Sequence, residues 1–164
     1  MTTRYLTVAI LLALILAVVF TGGCVKTKKT DTATAGDIKV GIDARNASSL
    51  GSLELTLTYD PAVIKPVSLE KGSLAPNASL EFSLDRPGRI WLGMIDAGGI
   101  SGSGTLATIK FDITGSGDAS SALNFEKVAA NKSTNLMEII TQSSPGSVRI
   151  KSKSVTNPSI TFTQ

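Results

Sequence analysis

The sequence has no histidine and a single cysteine, Cys24. The first lack removes the commonest general base and the commonest metal ligand of proteins. The second excludes an intramolecular disulfide. Aromatic residues make up only 5% of the chain, with one tryptophan, Trp91, and two tyrosines, Tyr5 and Tyr59. Sugar-binding platforms usually need several coplanar aromatics, so this scarcity counts against one. No charge of one sign dominates: 16 Lys and Arg stand against 13 Asp and Glu, a net +3 that is too small and dispersed to argue for nucleic acid. No stretch carries the sustained apolar stripe of a helix, and no internal repeat is visible. No acidic cluster has calcium-loop spacing, and no resident metal or cofactor is expected. The Gly-rich "GGISGSG" leads into a strand pattern rather than a helix, which argues against a phosphate cradle. An enzyme is therefore the weakest functional reading.

The long hydrophobic run that does exist lies at the N-terminus. "MTTRYLTVAILLALILAVVFTGGC" places Arg4 before an apolar run from Tyr5 to Phe20, then small residues, then Cys24. The run is short for a spanning helix, which needs about 20 residues, and has the layout of a secretory signal. A lone cysteine after small residues resembles the lipobox of secreted lipoproteins. Thr21 stands where bacterial lipoboxes carry leucine, which is closer to the looser archaeal pattern. The resemblance implies a signal peptide over 1–23, removed before Cys24, whose thiol is then acylated. An uncleaved anchor helix is the alternative, and either places the rest of the chain outside the membrane. Residues 24–36 are nearly devoid of apolar side chains and read as a flexible tether. Lys26, Lys28 and Lys29 sit where anionic headgroups would attract them.

From 37 to 151 the pattern changes to short strands. "SLELTLTY" alternates without an error: Leu53, Leu55, Leu57 and Tyr59 share one face, and Ser52, Glu54, Thr56 and Thr58 the other. A period of two marks a strand with one side wet. Asp60-Pro61 stops it, because proline lacks an amide donor. Ile38, Val40 and Ile42 form a similar face, as do Leu80, Phe82 and Leu84, and Ala107, Ile109, Phe111 and Ile113. Pro66 marks its strand as an edge or a bulge. "AGGISGSG" and "TGSGDASS" are expected loops, "ALNFEKVA" and "MEIITQ" strands, and "SVRI" the closing strand. Strands at this spacing mean an all-β sandwich or barrel. Residues 152–164 read as a loose tail or an extra edge strand around Ile160–Phe162.

The order of these features resembles the cohesin domain. "GDIKVGIDARNASSLGSLELTLTYDPAVIKPVSLEKGSL" is similar to its opening, "RIWLGMIDAGGISGSGTLATIKFDITG" to its central block, and "SPGSVRI" to its final strand. The resemblance implies a nine-stranded, or eight-stranded, jelly-roll β-sandwich without catalytic residues. One flat outer sheet would bind a dockerin, the calcium-binding partner domain of cellulosome enzymes, so that the calcium belongs to the partner. The family's first strand would precede Gly36, where this sequence is polar. The resemblance also places two partner-bonding polar residues at Ser52 and Glu54, and an acidic contact near Asp96.

The residues of "RIWLGMID" point to the same face. With Ile90, Leu92 and Met94 inward, Trp91, Gly93 and Ile95 face out, and Thr56 faces out on "SLELTLTY". Exposed tryptophan is enriched at interface hot spots, and Gly93 would let a partner helix approach closely. Asn46, Asn77 and Asn131 head glycosylation sequons, each read as lying in or beside a turn. The leading expectation is thus a non-catalytic, membrane-anchored binding module. The alternatives are a carbohydrate-binding jelly roll and a structural surface lipoprotein.

Overall fold

The computed structural model describes residues 38–163. The signal segment, Cys24, the tether and any strand before Gly36 lie outside the described residues. Among the described residues there is no helix; nine strands follow one another. They are β1 (Ile38–Thr58), β2 (Ile64–Lys71), β3 (Ser79–Ser83), β4 (Arg89–Ile113), β5 (Ser120–Lys132), β6 (Ile140–Ser144), β7 (Gly146–Arg149), β8 (Ser154–Thr156) and β9 (Ser159–Thr163).

Two long strands organise the rest. β1 and β4 pair antiparallel from Ile38↔Phe111 to Thr58↔Arg89. The alternation on each half of this ribbon sends Ile38, Val40 and Ile42, and then Leu53, Leu55 and Leu57, into one shared core. That is possible only if the ribbon folds over, so that its halves face each other. The Tyr59 and Phe111 rings meet edge to face, centroids 5.8 Å apart at 65°. Phe111 pairs with the first residue of β1, and Tyr59 follows the last, so this contact ties the two ends of the ribbon across the core.

The bend is where the Gly-rich stretch was expected to be a loop. It is instead paired strand, irregular but continuous. The register shifts between Ala44 and Ala47, between Ala47 and Leu50, and between Leu50 and Ser52. Such bulges bend a strand and increase its twist. Asn46 and Ser49 take left-handed φ of 57° and 51°, and the hydroxyls of Ser103 and Ser101 accept their amide protons at 3.0 and 2.9 Å. Opposite them Gly99 has φ of 78°, and a Cβ there would lie 2.5 Å from Ser133 Oγ. Glycine lets the ribbon turn without a loop. Asn46 consequently sits in a strand rather than a turn, Asn131 lies near the end of β5 just before a turn, and Asn77 lies in a turn.

On one half of the folded ribbon, β2 pairs with the second half of β4, bulged between Pro66 and Ser68 as an edge strand allows. On the other half, β3 pairs with the first half of β4, and β5 pairs with the second half of β1. β7 continues from the start of β5, and β8 from β7. Phe82, expected inward, is 43% exposed because β3 has a neighbour on one side only. The expected strand at Met137 begins at Ile140, after a turn that leaves Leu136 and Met137 exposed.

The C-terminal residues are the main departure. β9 is neither a loose tail nor an edge: it runs parallel to β1 on one side and antiparallel to β6 on the other. Ile160 and Phe162 are buried in the core. Asn157 fastens the approach, its Oδ1 accepting from the Gly41 amide at 3.0 Å and its Nδ2 donating to Asp43 Oδ2 at 3.0 Å. Thr105 Oγ1 donates to the other Asp43 oxygen at 2.8 Å. Truncating a buried phenylalanine costs about 3–5 kcal/mol. Phe162→Ala is therefore expected to destabilise the domain by about that amount in urea unfolding; a loss under about 0.5 kcal/mol, usual for surface positions, would mean that β9 is not core.

Candidate partner-binding face

Burying Leu53, Leu55 and Leu57 of β1 and Ile90, Leu92 and Met94 of β4 leaves the alternate residues no choice but the outer side. β3, β4, β1 and β5 lie side by side here, and their registers align the outward residues in rows. Ser79, Ile95, Ser52 and Asn131 form one row; Glu81, Gly93, Glu54 and Ala129 the next; Ser83, Trp91, Thr56 and Lys127 the third. Ser52, Glu54, Thr56, Trp91, Gly93 and Ile95 thus share one face. Trp91 is 38% and Ile95 63% exposed, and among the described residues no loop or C-terminal segment covers the indole.

The indole does not stand up from the sheet. A Cβ on Gly93 would lie 3.0 Å from Trp91 Cη2 and 3.2 Å from Cζ2, so the ring lies along its own strand, over the glycine. Gly93 makes room for Trp91 itself, and not, as expected, for the backbone of a partner helix. Trp91 Nε1 donates to Glu54 Oε1 at 3.2 Å, and Lys127 Nζ donates to the same oxygen at 2.8 Å. Asn131 Nδ2 donates to Ser52 Oγ at 3.3 Å. A shallow open depression results, lined by Ser52, Glu54, Ser79, Glu81, Trp91, Ile95 and Asn131. A second lies on the other side of the indole, lined by Thr56, Ser83, Arg86 and Arg89. Arg89 is engaged by Glu126 at 2.6 Å.

Asp96 stands apart. It begins the irregular stretch between the Ile95–Ser52 and Ile100–Leu50 pairings, and its Oδ1 accepts from the Gly98 amide at 2.9 Å. It lines neither depression. Glu81, Lys127 and Arg89 belong to the face but were not singled out from the sequence. Alternation placed Glu81 on the wet side of its strand; which strands stand next to it is set by long-range pairing that no local pattern carries. Among the described residues no group of three or more Cys, Asp or Glu is placed to hold a metal.

The Glu54 carboxyl is held below the ordinary glutamate value, chiefly by the Lys127 hydrogen bond and then by the indole N–H, against slight desolvation. A carboxyl lowered by folding is charged and bonded above its unfolded value, and the contribution is lost as pH falls through the folded value. The clasp on Trp91 is therefore closed at neutral pH. Because Trp91 is the only tryptophan, its emission should titrate with a midpoint below the usual glutamate range, and Lys127→Gln should move that midpoint upward. Emission that stays flat through this acid range in the folded protein would contradict the clasp.

The folded ribbon and its four-stranded outer face define an all-β jelly-roll module. The family model of the cohesin domain matches residues 24–150, and the chain belongs to this family. Solved structures share the fold. The non-cellulosomal cohesin of the hyperthermophilic archaeon Archaeoglobus fulgidus is 22% identical, with 75% of this chain and 81% of that chain covered and a TM-score of 0.50. A type II cohesin domain from the cellulosome of Acetivibrio cellulolyticus is 19% identical over 75% and 84%, TM-score 0.52. The type I cohesin–dockerin complex Coh-OlpC–Doc435 of Clostridium thermocellum gives 17% over 79% and 95%, TM-score 0.51. No curated protein matches the chain in sequence. The family match stops at Ile150, whereas the sandwich continues through β9.

Proposed function

We propose that the chain is a non-catalytic cohesin module that binds a dockerin domain of another protein through the β3–β4–β1–β5 face, the partner bringing its own calcium. The observation that carries this reading is the exposed Trp91–Ile95 pair on a flat sheet, beside Ser52, Glu54 and Thr56. A helix laid across that face would bury the indole and the isoleucine together, ringed by polar groups, which is the anatomy of an interface hot spot. Family membership supports the choice of partner, since fold relatives include cohesins crystallised with dockerins. A sugar platform has less support: Tyr59 is buried, and Trp91 is the one tryptophan.

In this reading residues 1–23 are the signal, Cys24 carries lipid, the tether runs to 36, and the module includes the C-terminal strand. The module then stands at the outer surface of the cell, holding a dockerin-bearing protein there. Two acyl chains on Cys24 would hold it firmly, at about 0.8 kcal/mol per buried methylene.

Calorimetric titration of the full chain with dockerin domains from the same organism tests the binding. It should show calcium-dependent association that a chelator abolishes, and Trp91→Ala and Ile95→Asp should each weaken it by about 2 kcal/mol or more. Absence of association, or association indifferent to both substitutions, rejects this face. For the anchor, Cys24→Ala should move the chain from the detergent phase to the aqueous phase in phase separation, while a chain that stays in detergent would instead support the uncleaved helix.

A further inference from the structure

We propose that Glu54 acts as a positioning residue that holds Trp91 flat, so that a partner meets the face of the indole and not the carboxylate. This rests on the binding face proposed above and assigns Glu54 a different part in it. Three observations converge. The register sets Glu54 directly across from Gly93, and Thr56 across from both Trp91 and Lys127. One carboxylate oxygen takes both the indole N–H and the Lys127 ammonium, at 3.2 and 2.8 Å. The ring fills the space that a side chain at position 93 would need.

Each part is needed for the geometry. An indole on an open sheet has free rotamers, and ordering it on binding costs part of the interaction. Glu54 fixes the N–H edge, Lys127 fixes Glu54, and the missing side chain at Gly93 lets the ring lie down. What remains exposed is a flat aromatic face with Ile95 in the next-but-one outward position of the same strand. The Glu81 carboxylate, across from Gly93 on the side away from Glu54, has no hydrogen-bond or ion-pair partner among the described residues. A flat aromatic face beside an uncommitted carboxylate suits an aliphatic chain ending in a cation. The partner residue that lands on Trp91 is accordingly a lysine or an arginine, its stem on the ring and its charge toward Glu81.

The test separates ring geometry from partner binding. The near-ultraviolet circular dichroism of the sole tryptophan and its quenching by iodide are read first, on the full chain without partner. Gly93→Ala changes no polar group, yet it should collapse the dichroic band and raise quenching, as should Glu54→Ala. Glu54→Gln keeps an acceptor for the indole and should retain more of both signals. Binding is then read with a dockerin that associates with the unmodified chain. Gly93→Ala should weaken it about tenfold, in parallel with the ring signal, and Glu54→Gln should lose less than Glu54→Ala. Glu81→Gln should weaken binding without touching the ring signal.

If Glu54→Ala weakens binding while the ring signal stays intact, Glu54 is a direct contact and the proposal fails. If Gly93→Ala leaves the dichroism unchanged, the ring is not seated on the glycine and the proposal fails as well. Should no dockerin associate with the unmodified chain, the binding reading falls, while the ring measurements still decide whether the clasp exists. Far-ultraviolet spectra verify that each variant is folded.

Discussion

Everything in the sandwich depends on one antiparallel pairing, that of β1 with β4, and on its folding over itself. Backbone groups in the middle of a protein must find partners. A ribbon that bends without breaking its ladder satisfies them while still delivering two apolar faces to one core. β2, β3, β5 and β9 add to the edges of this ribbon, and β6, β7 and β8 pair in turn with β9, β5 and β7. The bend is made by register shifts, by left-handed Asn46 and Ser49, and by glycine at 99. Serine hydroxyls take the amide protons that the shifts set loose.

The proposed binding face follows from the same pairing. With the leucines of β1 committed to the core, Ser52, Glu54 and Thr56 must face out, and the ladder brings them against Gly93 and Trp91. The same register sets the Glu54 carboxylate where the indole N–H and the Lys127 ammonium both reach it. A sheet of alternating residues thereby acquires a local arrangement with a fixed geometry. The face is made from ordinary strand residues, and its special character lies in one ring held down beside one aliphatic side chain.

Alternation made the strands legible in the sequence, and with them the inward and outward sets on "SLELTLTY" and "RIWLGMID". It does so because the pleat forces successive side chains to opposite sides. The pattern failed where two rules compete. Glycine and serine density read as a loop, yet "AGGISGSG" is a bent, paired strand, since the residues that make loops also permit bulges. Phe82 followed its alternation to the inner side but emerged half exposed, because an edge position is a property of the assembled sheet. The part played by Gly93 is visible only in the folded protein: the sequence shows a missing side chain, not what fills the gap. Asp96 was placed by resemblance alone; in the structure its carboxylate accepts from the Gly98 amide.

The C-terminal strand has a consequence for how the molecule is made. Gly41 and Asn157 are 116 residues apart in the chain, and β9 completes its lane between β1 and β6 only after nearly all the rest has been synthesised. Closing so long a loop is entropically slow, and contacts so distant in sequence belong to the late steps of folding. Until they form, one flank of the first strand is uncovered and adhesive to other extended chains. A protein of this kind is at its most vulnerable before the last of these distant pairings closes, and it is β9 that then shields the opening strand from its neighbours.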